Sequence, residues 1–205
     1  MRAKRQCVWM LPTIALAFLL AGCATNGGKL DVSTASEIHD GQTQAEVHHL
    51  LGVPKSTESG PDGRKLEIFS TVLPERAGAN SANTHRRTFE VRTLCVLYNP
   101  KGQVEQHVHN VGKAVSRRGF GKDVHVGQWL PPDKVAQVKR GMESYDVVGL
   151  LGPATVIGLT VRGDVIWSWI NIETRNERFE TVQEFQVVLD DNGRVKYFRM
   201  VENRP

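Results

Sequence analysis

The stretch GQTQAEVHHLLGVP, Gly41 to Pro54, returns a hundred residues later as GMESYDVVGLLGP, Gly141 to Pro153. Gly41 aligns with Gly141, Val47 with Val147, and Leu50-Leu51-Gly52 with Leu150-Leu151-Gly152. Each copy reads as a short helix. In the first, Thr43 is an N-cap with Glu46 three residues on, the capping-box spacing. Val47, Leu50 and Leu51 share one face. Gly52 takes the left-handed exit and Pro54 blocks continuation. In the second, Glu143 stands where the first has Thr43, and Ser144 is the alternative cap.

A second echo follows. VLYNPKGQV, Val96 to Val104, matches VVLDDNGRV, Val187 to Val195. The internal repetition predicts two copies of one structural unit. A weaker helix precedes each copy, within Val32–Gly41 and Pro131–Gly141. Strand-like runs come after: 64–72, 87–98 and 103–111 in the first, 164–172, 180–190 and 194–201 in the second. Phe89, Val91, Thr93, Cys95 and Leu97 alternate onto one side. NPKG and DDNG are hairpin turns. The expected fold is α+β: two tandem ααβββ units, each with two short helices on a three-stranded antiparallel sheet. Residues 31–111 form the first unit, 112–130 a linker pinned by Phe120 and Trp129, and 131–205 the second unit. Leu73 to Arg87 reads as a loop. The sheet face away from the helices has no partner in this scheme.

The N-terminus reads as an address. Arg2, Lys4 and Arg5 precede the apolar run Cys7 to Leu20, which at roughly 14 residues is short of the ~20 that span a bilayer. Residues 1–22 are expected to be a signal peptide. LAGC, Leu20 to Cys23, resembles a bacterial lipobox, which implies cleavage before Cys23 and its acylation. Several acyl chains suffice for stable anchoring. Residues 23–30 would be a lipidated tether, and Ala24 rather than Asp favours the outer membrane, on its periplasmic face.

The whole chain has 26 Lys+Arg and 22 Asp+Glu. Removing Arg2, Lys4 and Arg5 with the leader leaves 23 against 22, a net +1. No nucleic-acid partner is implied. Cys95, in the apolar run RTLCVLY, is the one cysteine left after Cys7 and Cys23, so the mature chain has no internal disulfide.

GMESYDVVGLLGP resembles the opening of the SmpA/OmlA (BamE-like) family of outer-membrane lipoproteins. WSW, Trp167 to Trp169, and LDDNGRV, Leu189 to Val195, match the family's aromatic strand and last turn. The first unit matches with Gln42-Thr43 and lacks the tryptophan pair. The resemblance implies an ααβββ fold, which occurs in tandem in the secreted beta-lactamase inhibitory protein. It also implies a non-catalytic protein-binding or scaffold role, with periplasmic or outer-membrane proteins such as the barrel-assembly machinery as partners. The alternative is an inhibitor or modulator of a periplasmic enzyme.

No Gly-x-Ser-x-Gly, His-Glu-x-x-His, Cys-x-x-Cys or phosphate-cradling glycine loop occurs. No enzyme, cofactor or metal site is expected. His107 and His109 share a strand face but lack a third ligand fixed by spacing. Trp167 and Trp169 also share a face. They pack either in the core under the helices or on the open sheet face as a partner-binding surface, joined there by Tyr197 and Arg199.

Overall fold

The structure is a computed structural model that describes residues 30–74, 86–118, 124–127, 130–175 and 178–203. The leader, Cys23, most of the 73–87 loop, Phe120 and Trp129 lie outside the described residues.

The capped helix forms as its sequence dictates. Helix α2, Gln44–Leu51, is capped by Thr43, whose hydroxyl accepts from the Glu46 amide while the Glu46 carboxylate accepts from Thr43 N–H. The matching α4, Ser144–Leu151, starts at Glu143 with no side-chain cap, so Ser144 is its first turn and not its cap. Val47 and Val147 are fully buried, as are Leu51 and Leu151. The preceding helices are much shorter. Helix α1 is Val32–Ser36 and α3 is Pro132–Val135. Ser and Thr in VSTAS compete for backbone hydrogen bonds, and α3 buries no residue at all.

Strands dominate instead. The first repeat contains β1 (Ser56–Ser59), β2 (Lys65–Pro74), β3 (Arg86–Tyr98) and β4 (Val104–Arg118). Then comes β5 (Val124–Gly127), and the second repeat contains β6 (Val156–Leu159), β7 (Val165–Arg175), β8 (Arg178–Leu189) and β9 (Val195–Asn203). The expected pair of ααβββ units is therefore overturned: the architecture is mostly β, with four antiparallel strands per repeat and only short helices. The missed strands β1 and β6 are four residues each. Runs that short carry almost no periodicity.

All strands belong to one sheet in the order β1-β2-β3-β4-β5-β7-β8-β9, with β6 also paired to β7. Strand β5 joins the repeats. It pairs with Ser116–Arg118 of β4 on one side and with Asn171–Thr174 of β7 on the other. The sheet then folds over, so that β6 packs on β3 and β4. Each four-stranded half thus has helices on one face and the other half on the opposite face.

Three cores result. Under α1 and α2 lie Phe69, Leu94, Val96 and Tyr98. Under α3 and α4 lie Trp169, Phe185, Val187 and Leu189. Between the halves, Leu66, Cys95 and Leu97 of the first repeat meet Leu159 and Val161 of the second. This third core occupies the face that the sequence leaves without a partner. Burial pushes the Cys95 thiol up to about 11, which suits an inert core residue.

The fold-over demands glycine where backbones touch. A Cβ on Gly112 of β4 would stand 2.3 Å from the Thr155 carbonyl oxygen. On Gly127, which ends β5 at φ 96°, it would stand 1.9 Å from the Ile170 carbonyl oxygen. Gly127→Ala therefore combines left-handed strain with a backbone clash. It should cost about 2–5 kcal/mol, read as a lower urea midpoint. An unchanged midpoint would mean that β5 does not hold the halves together.

Candidate functional site

The four proposed contact residues do not form one patch. Register places Trp167, Trp169, Phe185, Val187 and Phe198 on the helix-covered face of the second repeat. Trp169 is buried, and its indole N–H donates to the Gly152 carbonyl at 3.0 Å, tying β7 to the end of α4. Trp167 is half-buried beside it, edge to face at 6.3 Å between ring centroids. The pair is core packing under the helices, the first of the two alternatives. Deleting the Trp169 ring should be the costlier of the two: Trp169→Ala is expected to lose about 3–5 kcal/mol.

Tyr197 and Arg199 lie on the opposite face, turned toward the first repeat. One row across that face holds Ser168, Gln186 and Arg199. The Arg199 Nε donates to Gln186 Oε1 at 2.5 Å, and Gln186 Nε2 donates to Glu184 Oε1 at 2.5 Å. Glu184 is 1 % exposed. Burial raises its carboxyl above the ordinary range, against the opposing pull of Gln186, Ser168 and Arg199. Glu58, on β1 of the first repeat, is also raised by burial and feels the Arg199 charge. Arg199 is thus bonded within the polar row on the face turned toward the first repeat rather than part of an aromatic patch.

The first repeat has its own polar cluster where the second has apolar groups. Glu67 is 1 % exposed on the helix side of β2. It accepts from Gln44 Nε2 at 2.6 Å, pairs with His48 Nε2 at 2.7 Å and lies 3.2 Å from Lys65 Nζ. The Tyr98 hydroxyl is held protonated by burial and by this carboxylate. At the matching positions the second repeat carries Trp167, Ser144, Val148, Val165 and Leu189. Through Gln44 and His48 the Glu67 carboxylate fixes α2 on the sheet, while the buried Tyr98 hydroxyl beside it makes no hydrogen bond among the described residues.

His107 and His109 do share the helix-side face of β4. His107 Nδ1 is 3.6 Å from Asp40 Oδ1, and burial lowers His109, with Arg92 adding to the effect. Among the described residues no group of three His, Cys, Asp or Glu side chains is placed to hold a metal ion. No helix there is long and apolar enough to cross a membrane.

An open concavity lies on the outside of the second repeat, between α4 and the segment that follows α3. It encloses about 610 Å³ and is lined by Gln137, Lys139, Met142, Tyr145, Gly149 and Leu150. Tyr145 is 70 % exposed. Gly149, one turn later, faces open space. The first repeat has Ala45 and His49 in those places. An exposed aromatic beside a bare backbone is suited to gripping an apolar side chain of a partner.

No protein-family model matches the chain, and no curated protein matches it.

Glu67 and Glu184 were legible only in part. Each interrupts an apolar strand, LEIF and EFQVV, which signals a buried charge in need of a partner. The partners, on a helix and across a folded sheet, have no sequence spacing. A carboxyl raised in the folded state binds its proton more readily there than in the unfolded chain. Stability therefore rises as pH falls through the folded value and levels off below the unfolded value, about 4.3. Glu184→Gln keeps an acceptor for Gln186 and removes the buried charge. It should raise the melting temperature at pH 7.5 and flatten this part of the pH profile in thermal melts.

Proposed function

We propose that this chain is a lipid-anchored, non-catalytic binding module on the periplasmic face of the outer membrane, holding another envelope protein in the groove between α4 and the segment that follows α3. The observation that carries the reading is the Tyr145–Gly149 pair. Two copies of one scaffold differ there by a gained ring and a lost side chain, and in the second copy they line a groove. Two sequence features support the address, the LAGC motif at Cys23 and the short apolar run before it. Acylated Cys23 would put the groove within a short tether of the bilayer. Binding energy would come from a few anchors, Tyr145 first among them. The partner class implied by the SmpA/OmlA resemblance is the barrel-assembly machinery.

The test is affinity capture of the tagged protein from mildly solubilised membranes, comparing wild type with Gly149→Lys and Cys23→Ala. Barrel-assembly subunits should be retained by wild type and drop at least tenfold with Gly149→Lys, which fills the groove from an exposed helix position. Cys23→Ala should leave the membrane fraction and lose them too. Retention of a soluble hydrolase instead, inhibited in stoichiometric amount, would replace this reading with that of an enzyme inhibitor.

A further inference from the structure

We propose that residues 24–27 of this chain dock as an antiparallel strand on the outer edge of β2, in the way that β5 docks on β7. Strand β1 covers that edge only from Lys65 to Ile68. Beyond Ile68 the edge has no strand partner among the described residues. Val72, 43 % exposed, stands in the uncovered stretch. Such an edge presents backbone donors and acceptors that natural proteins cover or blunt. The second repeat covers its copy of the edge completely. There β6 pairs with Val165 to Ser168 of β7, and β5 pairs with Asn171 to Thr174.

The repeat identifies the occupant. The two copies run at an offset of a hundred residues. Leu30 and Leu130 are both buried, as are Ile38 and Val138. The pair Ser56 and Ile68 in one copy is Val156 and Ser168 in the other. The same offset carries β5, Val124–Gly127, onto Ala24, Thr25, Asn26 and Gly27. Gly127 is the position that admits no Cβ, since one would stand 1.9 Å from the Ile170 carbonyl oxygen. Its counterpart is again a glycine, Gly27.

The chain is already held beside this edge. Leu30 is buried there, and its N–H donates to the Thr71 hydroxyl at 3.3 Å. Gly27 stands three residues earlier, and the register of β5 sets it opposite Thr71. Asn26 then falls opposite Val72 and Thr25 opposite Leu73. Leu30, Val53, Lys55 and Phe69 line a small cavity of about 50 Å³ at the edge. The matching Pro153, Thr155 and Trp169 line a cavity together with Gly127 of β5 itself. Docking would fix where the anchor leaves the protein. Cys23 would follow at the Pro74 end of β2, the end of the sheet where Arg86 stands opposite Arg117 and Arg118 ends β4. Basic residues at that end suit anionic headgroups. The docking itself depends neither on acylation nor on the groove beside α4.

Disulfide trapping in the full chain tests the proposal. Opposed residues at a non-hydrogen-bonded site of an antiparallel pair have Cα atoms about 4.5 Å apart, within disulfide reach. Thr25→Cys with Leu73→Cys should therefore link within one chain. Val53, 81 % exposed and beside Leu30, is the control, because a loose segment would reach it as easily. Peptide mass spectrometry should find the 25–73 link at least tenfold over the 25–53 link of Thr25→Cys with Val53→Cys. Equal yields, or a 25–73 link only between chains, would overturn the proposal. Hydrogen exchange of the wild type is the second measurement. The Lys55 N–H donates to the Ile68 carbonyl across this edge, so alternation turns the Val72 N–H toward it as well. That amide should exchange at least a hundredfold more slowly than an open edge. Asn26→Pro removes the donor opposite Val72 and should speed it at least tenfold. Fast exchange in the wild type, or protection that Asn26→Pro leaves intact, would also overturn the proposal. Gly149→Lys should change neither readout, so the docked strand and the partner groove fail separately.

Discussion

A sheet with helices on one face has a second face to bury, and in this chain the second faces of the two repeats bury each other. Leu66, Cys95 and Leu97 on one side and Leu159 and Val161 on the other exclude water from the middle of the molecule. The hydrophobic effect acts on area and not on residue identity, so closure needs only that the two faces come close. The close approach is what makes the requirements specific. Gly112 and Gly127 sit where backbone meets backbone, and β5 holds β4 and β7 in one sheet so that the fold-over keeps its register.

Closure also has a polar side. Ser168, Glu184, Gln186 and Arg199 stand on a face that would be apolar in a simple sandwich. A buried ion pair seldom adds stability over a packed apolar pair, because desolvation offsets the attraction. Here the row ends at Arg199 on the last strand of the second repeat, whose charge is felt by Glu58 on the first strand of the first. Those two strands are the ends of the sheet, and no backbone pairing joins them. The bonds of the polar row itself run within the second repeat, from Glu184 through Gln186 to Arg199, and fix β8 against β9 on the face that closes.

The repeat itself was legible, and so were the features that repeat with it. The capping box at Thr43 and Glu46 and the turns at Gly102 and Gly193 all follow from local residue chemistry. So does the side of β3 that carries Cys95 and Leu97. Helix content was overread. VSTAS and PPDKV have helix-start signals, but a start followed by one turn buries almost nothing. Strand content was underread, because STES, VIGL and VHVG are four residues each and acquire their conformation from neighbours distant in sequence. The same cause misplaced Tyr197 and Arg199. The bulge between Val188 and Leu189 shifts the alternation of β9 against β8, and the tryptophans fell on the helix side. Which face of a strand is which depends on its partner.

Duplication followed by fold-over decides where recognition is left to occur. A single unit of this kind would offer its open sheet face to a partner. Here that face is consumed internally, so the outer helices and the two sheet edges remain. Helix α2 of the first repeat is occupied with holding Glu67: Gln44 and His48 are both turned inward to it. The second repeat meets the same packing problem with Trp167 and Val148, which need no help from the helix surface. Its outer positions were released from that structural duty, and they are where Tyr145 and Gly149 stand. The apolar solution under α4 and the groove above it are two consequences of one divergence between the copies.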